Sequence, residues 1–271
     1  MISATSERPA SALAEIARGA RRRLLDLSRS RPVHLGASLS VIDILVAVYD
    51  TAGFDSSVMG LPDRHRVILS KGHAVWGLYC VLAEFGLGGL EDPRAGHPVE
   101  GTPGVEAATG ALGHGLSIGA GLALGACLDA SESRTVVVLG DGELNEGSVW
   151  EAALFAAHRR LSNLVAVVDR NHLQQEGPTE SVLALEPLDA KWNSFGWRTR
   201  QVDGHDHAAL RRALRDAFTG AEGPSVVIAR TVKGRGVPWM EGDPGYHYAQ
   251  LTPAQHTAAI EALANRERVG G

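Results

Sequence analysis

Thr135-Val-Val-Val-Leu-Gly-Asp-Gly142 and Leu164-Val-Ala-Val-Val-Asp-Arg-Asn171 each run from a short, continuously apolar segment straight into small polar residues. Four to eight β-branched and aliphatic residues bounded in this way read as a strand buried on both faces. Between them, from near Glu146 to Leu161, the chain has helical period: Trp150, Leu154, Ala157 and Leu161 fall near one face, which reads as ordinary core packing, and Glu151, Arg159 and Arg160 supply polar positions. Strand, helix and strand in that order make a βαβ crossover, and a crossover makes the two strands parallel.

Working outward, further strand-like runs lie at Val67 to Leu69, Trp197 to Val202 and Ser225 to Ala229, separated by helical segments. This alternation predicts an α/β fold: a mostly parallel sheet covered by helices on both faces. Leu13, Ile16, Ala20, Leu24 and Leu27 repeat helically and predict an N-terminal helix over about residues 9–28; a C-terminal helical tail is expected over about 252–268. The whole chain, residues 1–271, is expected to be one domain.

The chain has 271 residues, 44% hydrophobic and 21% charged, enough to bury a large core and too apolar for disorder. A formal charge of -5 gives no overall attraction to nucleic acid or an anionic membrane, so neither is an expected partner. Cys80 and Cys127, far apart in apolar helical surroundings, read as buried free thiols rather than a disulfide or zinc site. No secretory signal is apparent. The N-terminal arginines could belong to a transit peptide, but Glu7, Glu15 and Asp26 interrupt them and the helical period favours a surface helix, giving a cytoplasmic expectation. Ala111 to Ala130 carries His114, Ser117 and several glycines and is a poor bilayer span. The long Gly/Pro-rich connection from Gly86 to Gly104 has the character of a functional loop.

Because the two quoted strands run in the same direction, Asp141 and Asn171 leave the sheet at one rim, where ligands of open α/β sheets gather. A diphosphate there needs a hard cation, Mg²⁺ or another divalent ion. Its oxygen ligands would be the Asp141 carboxylate, the Asn171 amide oxygen and the Leu173 backbone carbonyl. Gly140 and Gly142 would let the backbone approach the phosphates, and Glu146 would order nearby groups. By itself Gly140-Asp-Gly142 reads more readily as a strand-to-helix turn. Twenty-seven residues separate Gly142 from Arg170, however, and in this spacing the pair resembles the magnesium and diphosphate motif of thiamine-diphosphate enzymes.

Further segments extend the resemblance: His34-Leu-Gly-Ala-Ser-Leu-Ser40, Leu69-Ser-Lys-Gly-His-Ala74, Gly96-His-Pro98, Thr102-Pro-Gly-Val-Glu106, Thr109-Gly-Ala-Leu-Gly-His-Gly-Leu-Ser117, Gly140-Asp-Gly-Glu-Leu-Asn-Glu-Gly147, Val202-Asp-Gly-His-Asp206 and Thr231-Val-Lys-Gly-Arg-Gly236. In order and nearly throughout its length the chain resembles the N-terminal, thiamine-diphosphate-binding half of a transketolase. The resemblance implies catalytic roles near the sugar for His34, His73, His97 and His247, and cofactor contacts from His73, Gly110, Leu112, Gly140, Asp141, Gly142, Glu146 and Asn171. It implies transfer of a two-carbon ketol unit from a ketose to an aldose, as free sugars or sugar phosphates, with the cofactor as electron sink. His158, His172, His205, His207 and His256 receive no role by default.

Several positions depart from the family pattern: Val33 where Gly is usual, Val99 between His97-Pro98 and Glu100, His114 where Gln is frequent, and Tyr248 after His247. They bear on substrate geometry. Gly115, Gly119, Gly121 and Gly125 allow close helix contact, at a subunit interface by resemblance or inside the monomer. The resemblance also implies a separate C-terminal subunit supplying a pyrimidine-binding domain and its activating glutamate, in a 2+2 assembly. A deoxyxylulose-phosphate synthase, the α chain of a keto-acid dehydrogenase and a non-catalytic thiamine-diphosphate-binding protein are the alternatives.

Overall fold

The computed structural model describes residues 8–88, 90, 96–219 and 222–269. Five strands form one sheet: β1 (Arg66–Leu69), β2 (Thr135–Gly140), β3 (Leu164–Arg170), β4 (Arg198–Asp203) and β5 (Ser225–Arg230), in the order β1-β2-β3-β5-β4. Every pairing is parallel. Each sequence-predicted strand is present within a residue or two of its expected ends. The central strands β2 and β3 are buried at every position, as their uninterrupted apolar runs require, whereas the edge strand β4 is largely exposed and carries Arg198, Arg200 and Gln201.

Helices α1 (Ala10–Ser28), α2 (Leu35–Thr51), α3 (Val75–Glu84), α8 (His207–Phe218) and α9 (Pro253–Val269) bury one core against Val67, Val136, Val138, Val165, Val167 and Val227. The alternate strand residues, including Ile68, Val137, Leu139, Ala166, Val168 and Ile228, face a second core with α4 (His114–Leu128), α5 (Gly147–His158) and α7 (Leu188–Ser194). The sheet is therefore covered on both faces. A one-turn α6 (Thr179–Val182) lies in the connection after β3. The N-terminal helix turns Leu13, Ala17, Ala20 and Leu24 inward, following the expected repeat.

Two expectations are corrected. On α5 the buried residues are Val149, Ala152, Ala153 and Ala156, small enough to bring the helix close to the sheet, while Leu154 is 57% and Phe155 42% exposed. The stripe expected to pack in the core thus points partly outward. Cys127 is exposed, and only Cys80 is buried. On α4, Gly115 and Gly119 admit Ser70 and Val137 of the same chain, but Gly121 and Gly125 face open space. Of the Gly86 to Gly104 loop, residues 89 and 91–95 lie outside the described residues; its remainder is pinned where the Tyr49 hydroxyl donates to Gly104 O (2.8 Å) and Val99 N donates to the Tyr79 oxygen (3.0 Å). Among the described residues no helix is long and apolar enough to cross a membrane.

Candidate active site

Gly140 of β2 lies opposite Asp169 of β3, so the loops that follow these strands leave the sheet at the same level. The loops after β1 and β5 and the first turn of α2 join them around a cleft of about 370 Å³. His34, His73, His247, Gly110, Leu112, Gly140, Asp141, Gly142, Glu146, Asn171 and Leu173 all line it. His97 does not. Its exposed imidazole lies against Gly110 at the rim, where a side chain on Gly110 would strike it.

The three lining histidines form a triangle. The His34 ring centroid is 5.3 Å from those of both His73 and His247, and the latter two are 6.0 Å apart. Burial pushes His73 down to about 2, with Lys71 and the neighbouring histidines adding to the shift. Burial, reinforced by Lys233, pushes His247 down to about 4. His34 is also lowered, by burial first and then by its neighbours His97, Lys233 and Lys71. The triangle is thus neutral at pH 7, each ring with one nitrogen able to accept a hydrogen bond and one able to donate. Nδ1 of His247 is buried and has no hydrogen-bond partner among the described residues, a polar atom left for a ligand.

Asp141 is anchored from three sides: Oδ1 accepts from Gly142 N (2.8 Å), and Oδ2 accepts from His172 N (2.6 Å) and Arg170 (3.2 Å). His172 reaches this position with a left-handed φ of 67°. Burial and the adjacent Asp169 push the Asp141 carboxyl upward, so negative charge there is not fully balanced by the protein. Asn171 turns Oδ1 toward Leu173 N at 3.1 Å. The Lys233 ammonium donates to the carbonyl oxygens of Leu173 (3.2 Å) and Gln174 (3.1 Å), which leaves the Leu173 oxygen a second lone pair for a metal. One carboxylate, one amide oxygen and one carbonyl are a donor set for a hard ion. Among the described residues there is no His, Cys, Asp and Glu cluster that would favour a softer one.

Residues without an assigned role in the sequence complete the walls. Glu143 is buried beneath the loops: Oε1 accepts from Gly113 N (2.9 Å) and from the Ser70 hydroxyl, and Oε2 accepts from Gly140 N (3.0 Å). One carboxylate thereby ties together three cleft loops. Gly113 reaches it at φ 84°, a conformation natural only to glycine. Lys71 pairs with Asp169 at 2.5 Å, and Ser40 and Thr231 donate to the same carboxylate. Burial alone would raise Asp169; Lys71 and these donors hold it low. The available signal was a charge at the end of an apolar strand, which is tolerated only when paired.

The histidine electrostatics give one expected result. The neutral ring is favoured, so as pH falls through the ordinary histidine midpoint of about 6.5 the His247 ring stays unprotonated and takes up its proton only near about 4. An NMR titration of its Cε1–H reports this directly; a midpoint at or above the ordinary value would refute the buried, neutral triangle.

The family described as "Transketolase, thiamine diphosphate binding domain" matches residues 22–265. One subunit of the apulose-4-phosphate transketolase of Phocaeicola vulgatus is 37% identical, covering 91% of this chain and 92% of its own; the corresponding protein of Actinobacillus succinogenes is 40% identical, covering 91% and 94%. A 6-deoxy-6-sulfo-D-fructose transketolase subunit of Clostridium sp. is 37% identical over 85% of this chain and 88% of its own. The solved structure of transketolase from Leishmania mexicana superposes with a TM-score of 0.81 at 26% identity, covering 95% of this chain and 41% of that one. The match to a Pichia stipitis transketolase complex with sedoheptulose-7-phosphate has a TM-score of 0.76 at 28% identity and covers 45% of that chain, so this chain spans less than half the length of these solved relatives. By sequence over most of its length and by fold, the chain belongs to the transketolase family, of which it carries the thiamine-diphosphate-binding domain.

Proposed function

We propose that the chain is the N-terminal subunit of a split transketolase, working in the cytoplasm as one thiamine-diphosphate domain in a 2+2 assembly with a C-terminal subunit. The observation that carries this reading is the juxtaposition, in one cleft, of the oxygen donors of Asp141, Asn171 and Leu173 with the neutral triangle His34, His73 and His247. It is supported by relatives of nearly the same length named as transketolase subunits. The names also suggest phosphorylated or sulfonated sugars as a substrate class.

In this reading Asp141, Asn171 and the Leu173 carbonyl hold Mg²⁺, while Gly140, Gly142, His73 and Lys233 border the diphosphate. The bound cofactor supplies the electron sink for carbon–carbon cleavage. The chain's own part is positioning and proton traffic. Glu143 fixes three loops, Gly110 and Leu112 form the wall beside the ring, and Glu146 borders the cofactor just before α5. His34 and His247, both neutral, accept and return sugar hydroxyl protons, and His97 reaches the sugar from the rim. Exposed Ile118, Leu122 and Leu128 on α4, beside Gly121 and Gly125, with Leu154 and Phe155 on α5, are apolar surface suited to subunit contact.

The test is calorimetric titration of thiamine diphosphate into the assembled subunits with and without Mg²⁺, together with a ketose and aldose screen. Asp141→Ala is expected to cut metal-dependent affinity on the order of 100-fold without unfolding the chain, an effect at the upper end of those seen on removing even indirect metal supports. Unchanged Mg²⁺ dependence would remove Asp141 from the ligand set.

A further inference from the structure

Two of the family-like segments, Val202-Asp-Gly-His-Asp206 and Thr231-Val-Lys-Gly-Arg-Gly236, find each other in the fold outside the cleft. Gly204 N donates to Arg230 O at 2.7 Å, and a side chain at Gly204 would strike Thr231. The main contact is His205. Its Nε2 accepts the Val232 N–H at 2.9 Å, and its Nδ1 lies 2.6 Å from Oδ2 of Asp43 on α2. A backbone N–H can only donate, so Nε2 must present its lone pair; the ring proton then belongs on Nδ1, facing the carboxylate.

Asp43 is buried and is itself held by Arg21 of α1, with Nη1 and Nη2 at 3.0 and 2.5 Å. Burial would raise its carboxyl, and Arg21 together with the two histidines holds it well down. Arg21 Nε also donates to Arg235 O at 3.3 Å. His207 Nε2 stands 3.2 Å from the other Asp43 oxygen without hydrogen-bond geometry, and so leaves the orientation of the carboxylate to Arg21 and His205. On the far side of Lys233, Gly234 N donates to Gly36 O at 3.0 Å, two residues beyond His34. Lys233 is thus bracketed by two fixed backbone N–H groups, one of them fixed by a histidine.

We propose that His205 is a positioning residue for the cleft: a neutral imidazole, kept in its Nδ1–H tautomer by the buried Asp43 and Arg21 pair, that grips Val232 N–H and so sets the Lys233 ammonium on the Leu173 and Gln174 carbonyls. The proposal rests on the reading of the cleft as the diphosphate and metal site. A side chain with no direct contact to cofactor thereby tunes its binding, the way partners behind metal ligands do elsewhere. A histidine suits the task because it is both donor and acceptor across a rigid ring, so the loop height is fixed by the scaffold of α1 and α2.

Two measurements test it. Nitrogen chemical shifts of His205 in the full chain at neutral pH are expected to show a neutral ring protonated at Nδ1; a ring protonated at Nε2, alone or in addition, would overturn the proposal with no variant needed. In the assembled enzyme, His205→Leu is expected to weaken Mg²⁺-dependent thiamine diphosphate binding roughly 10- to 100-fold, with kcat at saturating cofactor nearly unchanged. His205→Gln, whose amide can both accept from Val232 and donate to Asp43, should recover most of it. In a Lys233→Met background the His205→Leu loss should shrink, because the two act through one group. An equal loss with and without Lys233 would overturn the proposal. If the unaltered assembly itself binds no thiamine diphosphate in a Mg²⁺-dependent way, the reading of the cleft fails and the proposal with it, whereas intact wild-type binding with no His205→Leu effect rejects the proposal alone.

Discussion

Purified alone and saturated with thiamine diphosphate and Mg²⁺, the chain is expected to turn over no ketose and aldose pair, and adding its C-terminal partner is expected to restore ketol transfer by at least about 10³-fold, within the span general acid and base groups supply. Glu143 in the cleft is held by two backbone N–H groups and the Ser70 hydroxyl, and Asp141 faces the proposed metal, so neither is offered to a cofactor ring. In the split-enzyme reading the activating glutamate comes from the partner. Apolar side chains exposed on α4 and α5 give association a driving force, roughly 1.5–3 kcal/mol for each one fully buried. Cofactor affinity should rise on mixing, since a partner that closes over the cleft favours the same ordered loops. Activity and mass of the two subunits, separately and mixed, are measured at matched cofactor. Robust transfer by the chain alone would end the split-enzyme reading while leaving the thiamine assignment standing.

His247→Ala is expected to lower kcat of the assembled enzyme by about 10²- to 10⁴-fold with little change in cofactor affinity. Its Nδ1 has no hydrogen-bond partner among the described residues, and imidazole is a poor neighbour for Mg²⁺, so its chemistry is assigned to the sugar. His97→Ala should act more on the KM for sugar than on kcat, because His97 stands at the rim against Gly110 rather than inside the triangle. Steady-state kinetics over a range of donor and acceptor concentrations separate the two cases. Normal kcat in His247→Ala together with normal KM in His97→Ala would count decisively against the sugar-facing assignment.

The positions that carry these effects were unequally legible. Asp141, Asn171 and Leu173 could be placed from strand direction and turn chemistry, which are local properties of the chain. Glu143 stood within a quoted motif but received no role, because its hydrogen-bond partners Ser70 and Gly113 come from other loops. His205 and Asp43 are 162 residues apart, and no periodicity reports such a pair.

By itself the sequence determined the five parallel strands, the terminal helices and the rim at which the Asp141 and Asn171 loops meet. Runs of β-branched residues, a repeat of apolar positions and glycine at strand ends act over a few residues, and burial on two faces leaves a parallel sheet little freedom in register. Only the tertiary structure decided the rest. Helices α2 and α3 are apolar nearly all round, so they have no stripe to read, and they are helices buried among α1, α8 and the sheet. Which face of α5 turns inward depended on how close the sheet could come, and alanines won over Leu154 and Phe155. Lys71 and Asp169, 98 residues apart, are tolerated at the core only because folding brings each to the other, and an isolated buried charge would cost more than the fold can spare.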